Sequence, residues 1–175
     1  ICHAILEAES IKNLLLVVQS VGGYVAQAFI DLHPREAAGF VSIDSAPLKR
    51  KYYSTWEVKA LRHTKGMYQF VPWSWLKALG SWGVATTAQG KAGMRSFIES
   101  YTKEEYVELA AHGYKMLADA VESRRAYNID CPALLLCGEK DNAGDVKVFN
   151  RKWAAGEKIP LVWIPGAGHN SNVDN

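Results

Sequence analysis

Short apolar runs alternate along the chain with segments whose apolar residues recur every three or four positions. Residues 14–18, 39–44, 133–137 and 161–164 are apolar runs bounded by polar residues, Gly or Pro, the pattern of strands buried on both faces. Between the first two, Val25, Ala28, Phe29 and Leu32 follow the i, i+3, i+4, i+7 rule of a helix that ends before Pro34. Between the last two, Val146, Phe149 and Trp153 recur in the same way, and Gly156 supplies a stop. Two strand–helix–strand units predict a parallel sheet covered by helices, an α/β fold. The opening ICHAILEAESIKN reads as the middle of an amphipathic helix, with Ile1, Ile5, Ala8 and Ile11 on one side. With no initiator Met, the chain reads as cut at its start, which leaves a leader upstream of Ile1 open.

Residues 48–126 break the alternation. This stretch holds no convincing strand but several helix starts: STWE from Ser54 and TKEE from Thr102 both have the capping-box form. Pro72 suits a first helical turn, and Gly66 and Gly80 suit helix ends. The segment is a helical insertion between two strands. It carries 12 of the chain's 19 Trp, Tyr and Phe residues, including Trp56, Trp73, Trp75 and Trp82. Most of these rings are expected to pack within a small helical layer, and the rest to line an apolar pocket facing the sheet.

Composition bounds the chemistry. The chain has 175 residues, 49% hydrophobic and 22% charged, which suits one globular domain with a sizeable core. A net charge of +2 is neutral evidence on acidic partners, and no Lys/Arg block is interleaved with aromatics, so nucleic-acid binding has no electrostatic footprint. No stretch approaches a transmembrane span. Cys2, Cys131 and Cys137 are odd in number and fall in no metal-ligand spacing, so no metal is expected. They read as free thiols of a reducing compartment, and the expected location is cytoplasmic.

Chemistry enters at LLLVVQSVGGYVAQAF, where a strand stops at Gln19-Ser20 and a glycine pair opens a helix. A serine at such a junction can simply cap the helix. Here the turn is very tight and Gly22 and Gly23 follow at once, so the serine oxygen is pushed above the sheet edge while the helix passes close to the strand. The helix dipole favours negative charge developing there. A serine hydroxyl needs a base, and imidazole has the pKa nearest neutrality. His3 and His112 fall inside helical patterns, His33 precedes Pro34 at a helix end, and His63 lies in the last turn of an expected helix. His169 alone sits in a Gly-rich loop, PGAGH, just beyond a strand.

VVQSVGGYVAQAF resembles the nucleophile elbow of the α/β-hydrolase superfamily, usually written GxSxG. CPALLLCGEKDNAG resembles the strand and turn that carry the family's acid, and WIPGAGHNSNVDN the loop that carries its histidine. The resemblance runs over nearly the whole chain. It implies a partial α/β-hydrolase fold, with a mostly parallel sheet flanked by helices, core segments at 1–47 and 127–175, and a helical cap at 48–126. It also implies roles: Ser20 as nucleophile, His169 as general base and then acid, Asp141 as the group that orients the histidine, and the Val21 N–H as an oxyanion donor. Asp44, at the end of the second strand, is the alternative acid, since some members place theirs there; otherwise it caps the start of the insertion. Asp145 and Asp174 are weaker candidates, the former as a residue of a helix N-terminus.

The activity implied is that of a serine hydrolase of the esterase or lipase kind, without cofactor, cleaving an ester or related acyl bond of a small, largely apolar substrate through an acyl-enzyme. A serine rather than an aspartate at the elbow argues against haloalkane dehalogenases and epoxide hydrolases. Esterase, thioesterase, peptidase, carbon–carbon bond hydrolase and acyltransferase all remain open, as does the oligomeric state. Two departures from the family pattern stand out. Val18 occupies the position two before the serine, which is usually small, and the family's earlier strands, its second oxyanion donor and its final helix are not among these residues. The chain therefore reads as a fragment cut at both ends, with open sheet edges and slow turnover. Two rival readings stand beside this one. One is a non-catalytic member that binds a ligand or a partner. The other is a dinucleotide-binding unit with Asp44 as the ribose-binding acid, although QSVGGYV lacks the first and last glycines of GxGxxG.

Overall fold

The computed structural model describes residues 1–175. In chain order the elements are α1 (Cys2–Ala8), β1 (Leu14–Gln19), α2 (Val21–Leu32), β2 (Ala37–Ile43), a 3-10 turn (Arg50–Tyr52), α3 (Thr55–Arg62), α4 (Thr64–Gln69), α5 (Trp73–Val84), α6 (Ala88–Glu99), α7 (Lys103–Glu122), β3 (Ala133–Gly138), α8 (Val146–Glu157), β4 (Leu161–Ile164) and α9 (Ser171–Asp174). The four strands form one parallel sheet in the order β1-β2-β3-β4. All four apolar runs are strands, and residues 48–126 contain helices only.

The core lies where α2 and α8 pack on the sheet. Phe29, Ile30, Phe40, Leu135 and Trp153 are its large members, and Val58 of α3 and Leu117, Ala118 and Val121 of α7 belong to the same cluster. Part of the insertion is thus continuous with the sheet's own core. Farther out, α5 packs on α6, while α3 and α4 pack on α7. Both expected capping boxes form: the Ser54 hydroxyl accepts from the Glu57 N–H and that of Thr102 from the Glu105 N–H, each Glu returning the bond. The longest helix, α7, has 20 residues, and no helix is long and apolar enough to cross a membrane.

Several local expectations are corrected. Burial on both faces fails at β1, an edge strand on which Leu15 and Val17 stay 60% and 57% exposed. The inward face of α2 is Ala26, Gln27, Phe29 and Ile30, while Val25 and Leu32 face outward. The rotation follows from a buried polar anchor: the Gln27 amide donates to the carbonyls of Gly23 and Ala46 and accepts from the Leu48 N–H. Ile5 of α1 and the flanking Ile1 and Ile11 are exposed, and Leu6 makes the contact with the core. Gly66, Gly80 and Gly156 end no helix. They lie inside α4, α5 and α8, and α8 stops at Lys158 in the left-handed conformation. At Gly80 and Gly156 the missing side chain allows close approach, since a Cβ would stand 2.6 Å from Ile98 Cδ1 and 2.5 Å from Tyr52 Oη respectively. Trp56, Phe70, Trp75 and Trp82 are all at least 65% exposed, so they do not pack as the composition suggested.

Candidate active site

In a parallel sheet every strand delivers its C-terminal end to one edge, and there the candidate side chains meet. Ser20 follows β1 directly and is the N-cap of α2, with φ 50° and ψ −119°. Serine in this left-handed region stores about 1–3 kcal/mol of strain. The turn is held from both sides, the Ser20 N–H donating to the Ile43 carbonyl at 2.9 Å and the Gly23 N–H to the Ser20 carbonyl at 2.9 Å. The side chain makes no capping bond to its helix. Its Oγ lies instead 2.8 Å from His169 Nε2.

The two glycines differ. A Cβ on Gly23 would stand 2.2 Å from Ser45 Oγ, so only glycine lets α2 approach the segment after β2 this closely. On Gly22 it would stand 3.4 Å from Val18 Cβ. That is ordinary van der Waals contact, so Val18 is accommodated across the turn without demanding glycine at position 22.

Asp141 lies in the turn after β3 with its side chain fully enclosed, and its Oδ2 is 3.0 Å from His169 Nδ1. Its Oδ1 accepts from the Ala143 N–H at 2.8 Å. An acceptor-only carboxylate places the imidazole proton on Nδ1, so Nε2 presents its lone pair to the serine hydroxyl. Ser20, His169 and Asp141, up to 149 positions apart in sequence, form one hydrogen-bonded chain, and the His169 side chain is only 12% exposed. Val21 is the first residue of α2, where an N–H has no acceptor within the helix.

Asp44 is not brought to the histidine. It sits fully buried at the end of β2, accepting at Oδ1 from the Gly138 N–H (2.8 Å) and at Oδ2 from the Ser171 N–H (2.9 Å) and hydroxyl (2.6 Å). Burial holds its carboxyl above the usual range; the Ser171 and Gly138 donors pull it back and the Asp141 charge adds to the rise. Asp44 ties β3 to the start of α9 and does not cap the insertion. Asp145 is the N-cap of α8 without a side-chain bond. Nearby Cys137 is fully buried, and burial with the Asp141 and Asp44 charges pushes its thiol up to about 12, so it offers no competing thiolate. His63 and His112 are exposed.

Sequence reasoning missed the residues that position this chain. Gln19 donates through its amide to the His169 carbonyl at 2.9 Å. Gly138 lies under the histidine loop, where a Cβ would meet the Gly168 and Ala167 carbonyl oxygens at 2.1 and 2.5 Å; a glycine closing a strand just before the acid was the available signal. Asp174, a weaker candidate for the acid, does not bond His169 but accepts from the N–H groups of Thr86, Thr87 and Gly168 and from the Thr87 hydroxyl, at 2.8–3.0 Å. The Asn170 N–H donates to the Val84 carbonyl and the Thr86 hydroxyl to the Gly166 carbonyl. The histidine loop is thereby fastened to the α5–α6 connection. Beside it opens a cavity of ≈ 390 Å³ whose walls include Trp82, Lys91, Lys140 and Lys147, a more basic lining than the aromatic content of the insertion suggested.

No protein-family model matches the chain. Over 125 residues it is 27% identical to a 1-acylglycerol-3-phosphate O-acyltransferase of Arabidopsis thaliana, a match that takes in 64% of this chain and 30% of that protein. Among solved structures it is similar to an α/β hydrolase fold protein from Burkholderia ambifaria (TM-score 0.63, 18% identity, 98% of this chain and 65% of that one). It is also similar to an esterase from Exiguobacterium antarcticum (TM-score 0.64, 17% identity, 99% and 66%). The chain spans somewhat less than two thirds of the length of these hydrolase-fold proteins. The likeness covers almost the whole chain, and with its four parallel strands and flanking helices the chain is built on part of the α/β-hydrolase fold.

Proposed function

We propose that the chain is the catalytic part of a serine hydrolase that cleaves an ester or related acyl bond through an acyl-enzyme. The observation that carries this reading is the continuous bonding from Ser20 Oγ to His169 Nε2 and from His169 Nδ1 to Asp141 Oδ2. His169 takes the hydroxyl proton as Ser20 attacks the acyl carbon, and Asp141 stabilises the imidazolium that forms. The Val21 N–H, at the positive end of α2, donates to the oxyanion. His169 then passes its proton to the leaving alcohol. Water enters in the leaving group's place and attacks the acyl carbon as His169 takes its proton; His169 then returns that proton to Ser20 Oγ as the bond to Ser20 breaks and the acyl group departs as the acid. The strain stored at Ser20 supports the same reading, because it lifts the hydroxyl clear of its helix and leaves it to the imidazole. The substrate is an ester or related acyl compound; the cavity beside the histidine loop, walled by Trp82, Lys91, Lys140 and Lys147, does not favour the wholly apolar acyl pocket expected from the aromatic content of the insertion.

The likeness to a 1-acylglycerol-3-phosphate O-acyltransferase favours a second reading, in which an alcohol in place of water takes the acyl group. Both readings share the acyl-enzyme. A fluorophosphonate probe is expected to label the protein, and Ser20→Ala or His169→Ala to abolish labelling; labelling that persists in Ser20→Ala refutes the assignment. Turnover of p-nitrophenyl esters with and without a 1-acylglycerol-3-phosphate acceptor separates hydrolysis from transfer. Release of free acid unaffected by the acceptor marks a hydrolase.

A further inference from the structure

At the opposite edge of the sheet, α1, the end of α2 and the start of β2 bring two histidines and two glutamates together. His3 Nδ1 lies 3.2 Å from Glu36 Oε2, and His33 Nδ1 lies 3.5 Å from Glu36 Oε1. The two imidazoles stack with ring centres 4.2 Å apart and planes 22° from parallel, and donor atoms of all three residues lie within 4.8 Å of one another. A tetrahedral ion with bonds of 2.0–2.1 Å to nitrogen and oxygen holds its donors roughly 3.3 Å apart. The donors are therefore near the spacing that such an ion requires, but the stacked rings do not yet aim both lone pairs at one point, so binding needs one imidazole to turn out of the stack towards Glu36.

Two further features agree. His3 has its second nitrogen, Nε2, 3.5 Å from Glu7 Oε1 one helical turn away, so a carboxylate stands behind the imidazole, as metal-bound histidines commonly have. An open cavity of ≈ 410 Å³ lined by His3, Glu7 and Glu36 gives a hydrated ion a path to the donors. Lys12 and Arg35 line the same cavity and offset the two carboxylates. Net negative charge does not hold an ion here; the imidazoles must, which selects borderline transition metals over Mg²⁺ or Ca²⁺.

The geometry points to a site for one divalent transition-metal ion of the zinc class, ligated by His3 Nδ1, His33 Nδ1 and a Glu36 oxygen, with a fourth position open to water. Helix α1 buries no residue of its own, so the ion would fasten this helix to the turn between α2 and β2. The site lies away from Ser20 and does not depend on the proposed hydrolysis.

Calorimetric titration of the tag-free chain with zinc chloride alone, and visible absorption with cobalt(II) chloride, test the proposal. One ion per chain is expected, together with a higher melting temperature. His3→Asn or Glu36→Gln, both at partly exposed positions, should abolish stoichiometric binding, and Glu7→Gln should weaken it by about 10- to 100-fold. Cys2→Ser removes the neighbouring exposed thiol and should leave binding unchanged. The proposal is overturned by no stoichiometric binding, by binding that survives His3→Asn combined with Glu36→Gln, or by binding that is lost in Cys2→Ser.

Discussion

Replacing Asp174 with asparagine tests whether the histidine loop is held by the insertion. Burial alone would raise this carboxyl, but the N–H groups of Thr87, Gly168 and Thr86 and the Thr87 hydroxyl draw it down from 3.8 to about 2. At about 1.36 kcal/mol per pKa unit, the shift corresponds to roughly 2.4 kcal/mol. The carboxylate is partly solvated, and screening reduces the figure to about 1–2 kcal/mol. A depressed acid contributes stability that is fully present above its unfolded value near 4 and is lost as pH falls through the folded value near 2. Asp174→Asn keeps the shape, loses the charge and leaves at least one N–H facing an amide donor. Urea denaturation at pH 6 should show a loss of about 1–2 kcal/mol, and the gap to the parent should narrow as pH is lowered from 4 towards 2. Labelling of Ser20 should also slow, because the Gly168 N–H, next to His169, is one of the released donors. A stability gap under about 0.3 kcal/mol, or one that is constant between pH 6 and pH 3, would refute the reasoning.

Gly138→Ala should separate His169 from Asp141, because the added carbon would meet two backbone carbonyls that no side-chain rotation can clear; about 1–3 kcal/mol of destabilisation and a loss of Ser20 labelling are expected by urea melts and probe kinetics. Asp141→Asn should slow probe labelling by about 10³- to 10⁴-fold at little cost in stability. Asp44→Asn should do the reverse, costing about 1–3 kcal/mol as one amide N–H turns towards a donor of Gly138 or Ser171. Gly23→Ala should destabilise by about 1–3 kcal/mol through contact with Ser45, whereas Gly66→Ala, in open space within α4, should stabilise by about 0.5–1 kcal/mol; thermal melts of the two variants separate steric need from simple helix propensity.

The strands were legible because parallel strands are continuous apolar runs, and residues 133–137 and 161–164 show little else. Ser54 and Thr102 were legible because a capping box is complete within four residues. What failed depends on partners distant in sequence. Nothing near Gln27 shows that its amide will bond the backbone at Ala46 and Leu48 and so rotate α2. Gly80 and Gly156 read as helix stops because the side chains that crowd them, Ile98 and Tyr52, lie 18 and 104 positions away. At the site, Ser20 and His169 were marked by their own loops. The choice between Asp44 and Asp141 turned on Gly138 and Ser171, and the fastening by Asp174 on Thr86 and Thr87, contacts that no local pattern encodes.

The helical insertion also bears on how freely the chain can change. Closing a flexible connection costs about (3/2)RT ln n, so a link of roughly 90 residues between β2 and β3 costs only about 2 kcal/mol more entropy than one of ten. Lengthening or rebuilding it therefore leaves the β2–β3 pairing almost untouched, provided two kinds of contact survive. Val58, Leu117, Ala118 and Val121 must still fill the core, and the stretch from Val84 to Thr87 must still meet the histidine loop. A chimaera that keeps these eight positions and exchanges the rest of α4 to α6 should fold on the same sheet, with the hydrogen-bonded chain of Ser20, His169 and Asp141 left in place.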